Sequence, residues 1–223
     1  AENLISNTTL TKASKNAAIA FKTRVYLHMR DWDNVIAEGT KLDSKYTLEA
    51  HPGGPFANSY SNKESIFSIL QAATLNPNVN AALASQYNRR QLVCISPIIW
   101  RDPEWLTDDK RRSEGTDALS MVFTAMGRKY TNKYKDVVNY TDAAPVIRYA
   151  EVLLNMAEAY ARKNDMANGM AHLNMVRDRS LASPATQSYT SFADSKALVG
   201  AILKERRIEF LMEGRRWSDI HRL

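Results

Sequence analysis

One cysteine in 223 residues, Cys94, excludes an internal disulfide framework, and it reads as a small buried apolar side chain. Long apolar runs are missing too, so no stretch has the length of a transmembrane helix. The opening AENLISNTTL carries neither the basic nor the apolar region of a signal peptide. Catalytic punctuation is absent as well: there is no GxSxG, P-loop or GxGxxG. The four histidines, His28, His51, His172 and His221, show no HExxH or other ligand spacing, which argues against a zinc site. Asp31/Asp33 and Asp108/Asp109 lack the glycine and terminal glutamate of a calcium loop and read as turn and cap residues. No cofactor and no metal is expected.

Charge of one sign is in modest excess. Thirty Lys and Arg against 24 Asp and Glu give +6 and a pI near 9.4. The positive residues are dispersed and accompanied by carboxylates, as in KERRIEF and WLTDDKRRSE. Without a basic stripe interleaved with aromatics, nucleic acid is not the expected partner. Attraction to acidic glycans or to an anionic envelope surface stays open. The 44% apolar and 24% charged content is that of a soluble globular chain.

What is present is helix. VIRYAEVLLNMAEAYARKND, residues 146–165, places Ile147, Ala150, Leu154, Ala157 and Ala161 on one stripe, with Pro145 suited to a first-turn position. Asn164 can close this helix and Asp165 can cap a second, MANGMAHLNMVRDRS, with Met166, Met170, Leu173 and Val176 on one face. The pair predicts an antiparallel hairpin onto which the rest packs. TKASKNAAIAFKTRVYLHMR, with Ala17, Ala20, Phe21, Val25 and Leu27 apolar, and DNVIAEGTKL predict an earlier hairpin. The two superimpose: Tyr26, Asp31, Asn34 and Ala37 fall on Tyr160, Asp165, Asn168 and Ala171, and Trp32 and Ile36 on Met166 and Met170. This resembles a tetratricopeptide-type unit used twice, though not in tandem.

Between them, residues 51–142 predict an irregular, loop-rich insertion. HPGGPFANSY is turn chemistry. NKESIFSILQ is a strand or one helical turn, LVCIS is strand-like, and RKYTNKYKDVVNYTDAA predicts short extended pieces. The last helix, KALVGAILKERRIEFLMEG, carries Leu198, Ala201, Ile202, Ile208 and Met212 on its apolar stripe, and Gly214 either ends it or allows close approach. The expected fold is mainly α: a tetratricopeptide-like α-α superhelix with a long insertion. Its parts are a first hairpin over 10–48, the insertion over 51–142, and a second hairpin with its packing helix over 143–223.

Taken together, IRYAEVLLNMAEAYAR, HLNMVRDRS and ILKERRIEFLMEGRRWSDIHRL resemble the helical core of the SusD/RagB family of surface nutrient-binding lipoproteins. KNAAIAFKTRVYLHMRDWDNVIAEGTKL resembles the family's earlier tetratricopeptide-like unit, and NKESIFSI, DDKRR and RKYTNKY its middle section. The resemblance implies one SusD-like domain that is an interior piece of a longer protein. It implies a lipid anchor outside this chain and exposure at the outer-membrane surface. It further implies binding of an oligosaccharide, or in some members a peptide, beside a TonB-dependent SusC-like transporter, and no enzymatic activity.

Glu205, Glu209 and Glu213 are the conspicuous carboxylates, and an enzyme reading would make them the acid and base of a helical-barrel glycosidase. Glu205 falls inside the Ala201, Ile208, Met212 stripe, however, and Arg177 inside the stripe of Met170 and Leu173. Two opposite charges on buried faces are most simply partners, so Arg177 with Glu205 or Glu209 predicts a structural ion pair. The ligand platform is expected in the insertion, where Trp100 and Trp105 flank Arg101 and Tyr87 lies shortly before. Aromatic planes stack on sugar C–H faces, while arginine bonds hydroxyls. Trp32 and Trp217 read as core. A peptide-binding adaptor using the concave helical groove is the alternative, and the glycosidase a third.

Overall fold

The computed structural model describes residues 9–223; most of the opening AENLISNTTL lies outside the described residues. Helix α1 (Lys15–Met29) starts at Ser14, whose hydroxyl accepts from Ala17 N, and α2 (Trp32–Thr40) starts at Asp31, which accepts from Asn34 N. Between them Arg30 is left-handed, with φ 60°, and Asp31 N donates to Tyr26 O at 3.0 Å. Helices α1 and α2 pack together and both meet the central helix described below.

The insertion then contributes α3 (Gly54–Ala57), β1 (Ser65–Ile69), α4 (Asn78–Ala81), a π-turn at Ser85–Arg89, α5 (Pro97–Trp100) and a 3-10 turn at Lys110–Arg112. The hairpin β2 (Val122–Ala125) and β3 (Arg128–Thr131) closes on Met126 and Gly127, both at positive φ (48° and 70°), a type I′ turn. LVCIS, expected as a strand, is loop. It is tied down by separate bonds, Leu92 N donating to Gln86 O at 2.9 Å and Ile95 N to Lys129 O at 2.7 Å, and not by a ladder.

Strand β4 (Ala144–Arg148) pairs antiparallel with β1 and runs straight into α6 (Tyr149–Arg162). Pro145 and Ile147 therefore belong to a strand and not to the helix. The β-branched pair Val146–Ile147 suits the pleat, and Pro145 sits opposite Ser68 beside a register shift, where a missing donor is tolerated. All but two α6 residues, Tyr160 and Arg162, are buried, as expected of a helix enclosed by α1, α2, α7 and α9.

Helix α7 (Met166–Asp178) repeats the first hairpin's closure. Asn164 is left-handed at φ 63°, Asp165 N donates to Tyr160 O at 2.9 Å, and Asp165 accepts from Asn168 N. The side-chain amides repeat too: Asn34 donates to Asp31 at 2.6 Å and Asn168 to Asp165 at 2.7 Å. Close helix contact rests on glycines, since a Cβ on Gly39 would lie 2.3 Å from Met156 Sδ and one on Gly169 3.2 Å from Ala157 O.

After α8 (Pro184–Gln187), helix α9 (Ser195–Glu209) packs on α6 and α7, and α10 (Arg216–His221) follows. Helix α9 ends before Met212 and Gly214, both left-handed, so neither is helical. Two further expectations fail at the surface. Val25 is 54% exposed, because α1 buries its Ala17, Ala20, Thr23 and Leu27 face; Trp217 is 73% exposed, because α10 buries Asp219.

Two large apolar cores result, with a small third cluster of Leu27, Val35 and Ala159 where α1, α2 and α6 meet. One surrounds α6. The other lies within the insertion, where Phe56, Ile95, Ile99, Trp105, Met121 and Tyr134 gather against Ile208 of α9. Irregular backbone here does not mean an unpacked loop.

Candidate functional site

The carboxylates of α9 point into the seam between the two cores. Glu205 accepts from Arg111 and, at 3.3 Å, from Arg177; Arg111 also reaches Asp109 at 2.7 Å and Glu209 at 3.1 Å. Glu209 pairs with Arg179 and with Arg148 at 3.1 Å, and both arginines also hold Glu64. Glu213 takes Arg148 at 2.9 Å and Lys133 at 2.6 Å. Five cations (Arg111, Lys133, Arg148, Arg177, Arg179) thus meet five carboxylates (Glu64, Asp109, Glu205, Glu209, Glu213), all essentially out of water. The cluster is neutral, as burial of so many charges requires.

Arg177 therefore meets Glu205 and not Glu209, whose oxygens are taken by three other arginines. Burial pushes the Glu209 carboxyl up, but Arg179, Arg148 and Arg111 outweigh it and hold the group well below the usual range. Glu213 is likewise pushed up by burial and lowered on balance by Arg148 and Lys133. A general acid needs the opposite shift, so these two are poorly suited to donate a proton to a leaving group.

Central polar groups on α6 are satisfied in the same way. Glu151 holds Arg24 at 2.7 Å, Asn155 accepts from Arg206 at 2.7 Å and donates to Thr23 Oγ1 at 3.1 Å, and Glu158 holds Arg222 at 2.7 Å. These bonds tie α6 to the elements packed around it.

The insertion carries the more open chemistry. Ser96 caps α5, with Pro97 at its first position, and α5 presents Trp100 at its C-terminal end. The Ile95–Lys129 bond brings the β2–β3 hairpin alongside. Cys94, Ile95, Pro97, Trp100, Arg101, Gly127, Arg128 and Lys129 line a cleft of about 660 Å³. Trp100 is half-buried and Arg101 exposed at its rim. The Arg112 guanidinium lies 4.6 Å from the Trp100 ring centre and 4.8 Å from that of Trp105; Lys129 Nζ lies 5.3 Å from the Trp100 ring centre. Such contacts fix the indole's orientation.

Trp105 does not share the role expected for it. Only 2% exposed, it meets Trp100 edge-on at 5.3 Å and belongs to the insertion core. Tyr87 also packs inward, stacked on Tyr134 at 6.0 Å, and does not line the cleft. Of the four platform candidates, the cleft brings together Trp100 and Arg101. It adds Arg128 and Lys129, whose place beside Trp100 depends on a hairpin turn with Met-Gly in positions usually held by Asn-Gly. Cys94 lines the cleft and is only half-buried, against the expectation of a core thiol.

The SusD family's sequence model matches residues 102–223. Among solved structures, a SusD superfamily protein from Bacteroides fragilis is 33% identical with TM-score 0.78, the alignment covering 98% of this chain and 50% of that one. A SusD superfamily protein from Bacteroides vulgatus is 21% identical with TM-score 0.78, covering 99% and 54%. A SusD-like carbohydrate binding protein from the same species is 20% identical with TM-score 0.77, covering 99% and 48%. No curated protein sequence matches this chain. The chain spans about half the length of the solved proteins it matches. With a family match over more than half its residues and one fold throughout, this chain belongs to the SusD family.

Proposed function

We propose that this chain binds an oligosaccharide at the cell surface, through the cleft beside Trp100, and delivers it to a TonB-dependent SusC-like transporter in the outer membrane. The observation that carries this reading is the cleft itself. An oriented, part-exposed indole stands beside exposed arginine on a packed scaffold, and sugars need an apolar face together with polar donors. One of the structural relatives is described as a carbohydrate binding protein, which agrees with it. A lipid anchor outside this chain would hold the protein at the outer membrane; among the described residues no helix is long and apolar enough to cross one.

The alternatives have less support. A peptide-binding adaptor needs an open helical groove, and α6 is enclosed on nearly all sides. A glycosidase needs a carboxyl held protonated, and Glu209 and Glu213 are shifted the other way. We assign no catalytic role to any residue. The test is a calorimetric screen of the full-length protein against neutral and charged oligosaccharides and peptides, with reducing-sugar release followed in parallel. Oligosaccharide binding lost in Trp100→Ala is the expected result. Turnover, or binding indifferent to Trp100, would overturn the reading.

A further inference from the structure

The cleft beside Trp100 is one-signed. Its lining holds Arg101, Arg128 and Lys129 and no carboxylate. A second cleft of about 310 Å³ shares Cys94 with it as a lining residue and adds Arg206, Arg207, Arg216 and the exposed Trp217, again with no carboxylate in its lining. Lys129 is answered by Glu114 and Arg206 by Asp219. Arg101, Arg128, Arg207 and Arg216 make no ion pair with any described residue.

That imbalance sets this face apart from the interior, where five buried cations meet five carboxylates. Like charges gathered on a concave surface raise the local potential and draw anions into it. Guanidinium forks match carboxylate and sulfate oxygens in pairs, and an indole beside them suits the C–H face of a sugar ring. A volume of about 660 Å³ accommodates a few linked rings, within the ~300–1,000 Å³ of small-ligand sites.

We infer that the two clefts on either side of Cys94 together bind an acidic oligosaccharide. Its rings lie against Trp100, and its carboxylate or sulfate groups lie against Arg101 and Arg128 on one side and Arg207 and Arg216 on the other. This inference rests on the glycan-binding reading above and narrows it to a substrate class.

The test is calorimetric titration of the full-length protein with tetragalacturonate, its fully methyl-esterified form and a κ-carrageenan tetrasaccharide, at low and high salt. The esterified form keeps the sugar backbone and removes the charge, while carrageenan substitutes sulfate for carboxylate. At least one charged probe should bind roughly ten-fold more tightly than the ester at low salt, an advantage that shrinks as salt is raised. Combining Arg101→Gln with Arg128→Gln should remove most of that advantage, weakening the charged probes several-fold more than the ester. Both arginines are at the surface, so folding is not at stake.

If the ester binds as tightly as the acids and all need Trp100, the charge inference fails and the glycan reading stands. If no oligosaccharide of either kind binds, both fail. An acidic peptide or an anionic phospholipid vesicle that binds through the same arginines, where no sugar does, would also overturn it.

Discussion

In the hairpins, Tyr26 and Tyr160 lead into turns that close through the same two hydrogen bonds, and Gly39 and Gly169 let the helices meet. In the insertion, single helical turns and two-stranded ribbons wrap Trp105, Tyr134 and Met121, and little of the backbone is regular. The first region is specified locally, by caps, spacing and small residues. The second is specified by side chains far apart in sequence, and its attachment to the first is a buried ion cluster to which Glu64, Asp109, Arg111 and Lys133 contribute two charges of each sign. What this teaches is where each kind of residue can be spared for function: the hairpins spend theirs on closure, and the insertion has a rim left over.

The largest effect should come from cutting the seam. Glu209→Ala leaves Arg111, Arg148 and Arg179 partly unanswered in a dry environment, and should cost about 5 kcal/mol in chemical denaturation. Both regions should lose protection together in hydrogen exchange; loss confined to the insertion would break the idea of a shared seam. The same cluster sets a pH dependence. Folded-state carboxyls below their unfolded value of 4.5, as at Glu209 and Glu213, contribute stability that is present above that value and is lost as pH falls through the folded range. The melting temperature should therefore fall below about pH 5, and less steeply in Glu213→Gln.

Next in size is Trp105→Ala, which removes a side chain from the insertion core and should cost about 4 kcal/mol. Here exchange protection should fall in the insertion more than in α6 and α7. Smaller again is Asp165→Ala, which removes the cap on α7 and should cost about 1 kcal/mol; Asp31→Ala should match it if the two closures are energetic equivalents. A difference of several-fold between them would show that the repeat is one of shape alone.

These differences also explain what could be read from the chain. Hairpins, caps and the order of the helices were legible because each depends on residues three or four apart, as with Asp165 and Asn168. The placement of Arg177 and Glu205 on apolar faces was legible for the same reason. Their full set of partners was not, because Arg111 and Glu205 are 94 residues apart and nothing local marks the pairing. Trp105 and Trp100 look equivalent in sequence; only the fold of the insertion turns one into core and leaves the other at a cleft. Arg128 and Lys129 are held beside Trp100 by long-range contacts, among them the bond from Ile95 N to Lys129 O and the Lys129–Glu114 pair, that periodicity cannot foresee.

The central claim is a division of labour: the α9 carboxylates hold the molecule together and the Trp100 cleft binds. Its most direct test is calorimetric titration of wild type, Trp100→Ala and Glu205→Gln with whichever oligosaccharide the screen identifies, at a temperature where circular dichroism shows all three folded. Trp100→Ala should weaken binding several-fold, a loss of about 1 kcal/mol, with its melting temperature little changed. Glu205→Gln should keep its affinity and melt well below wild type. Lost affinity in a folded Glu205→Gln, with Trp100→Ala binding normally, would contradict the account.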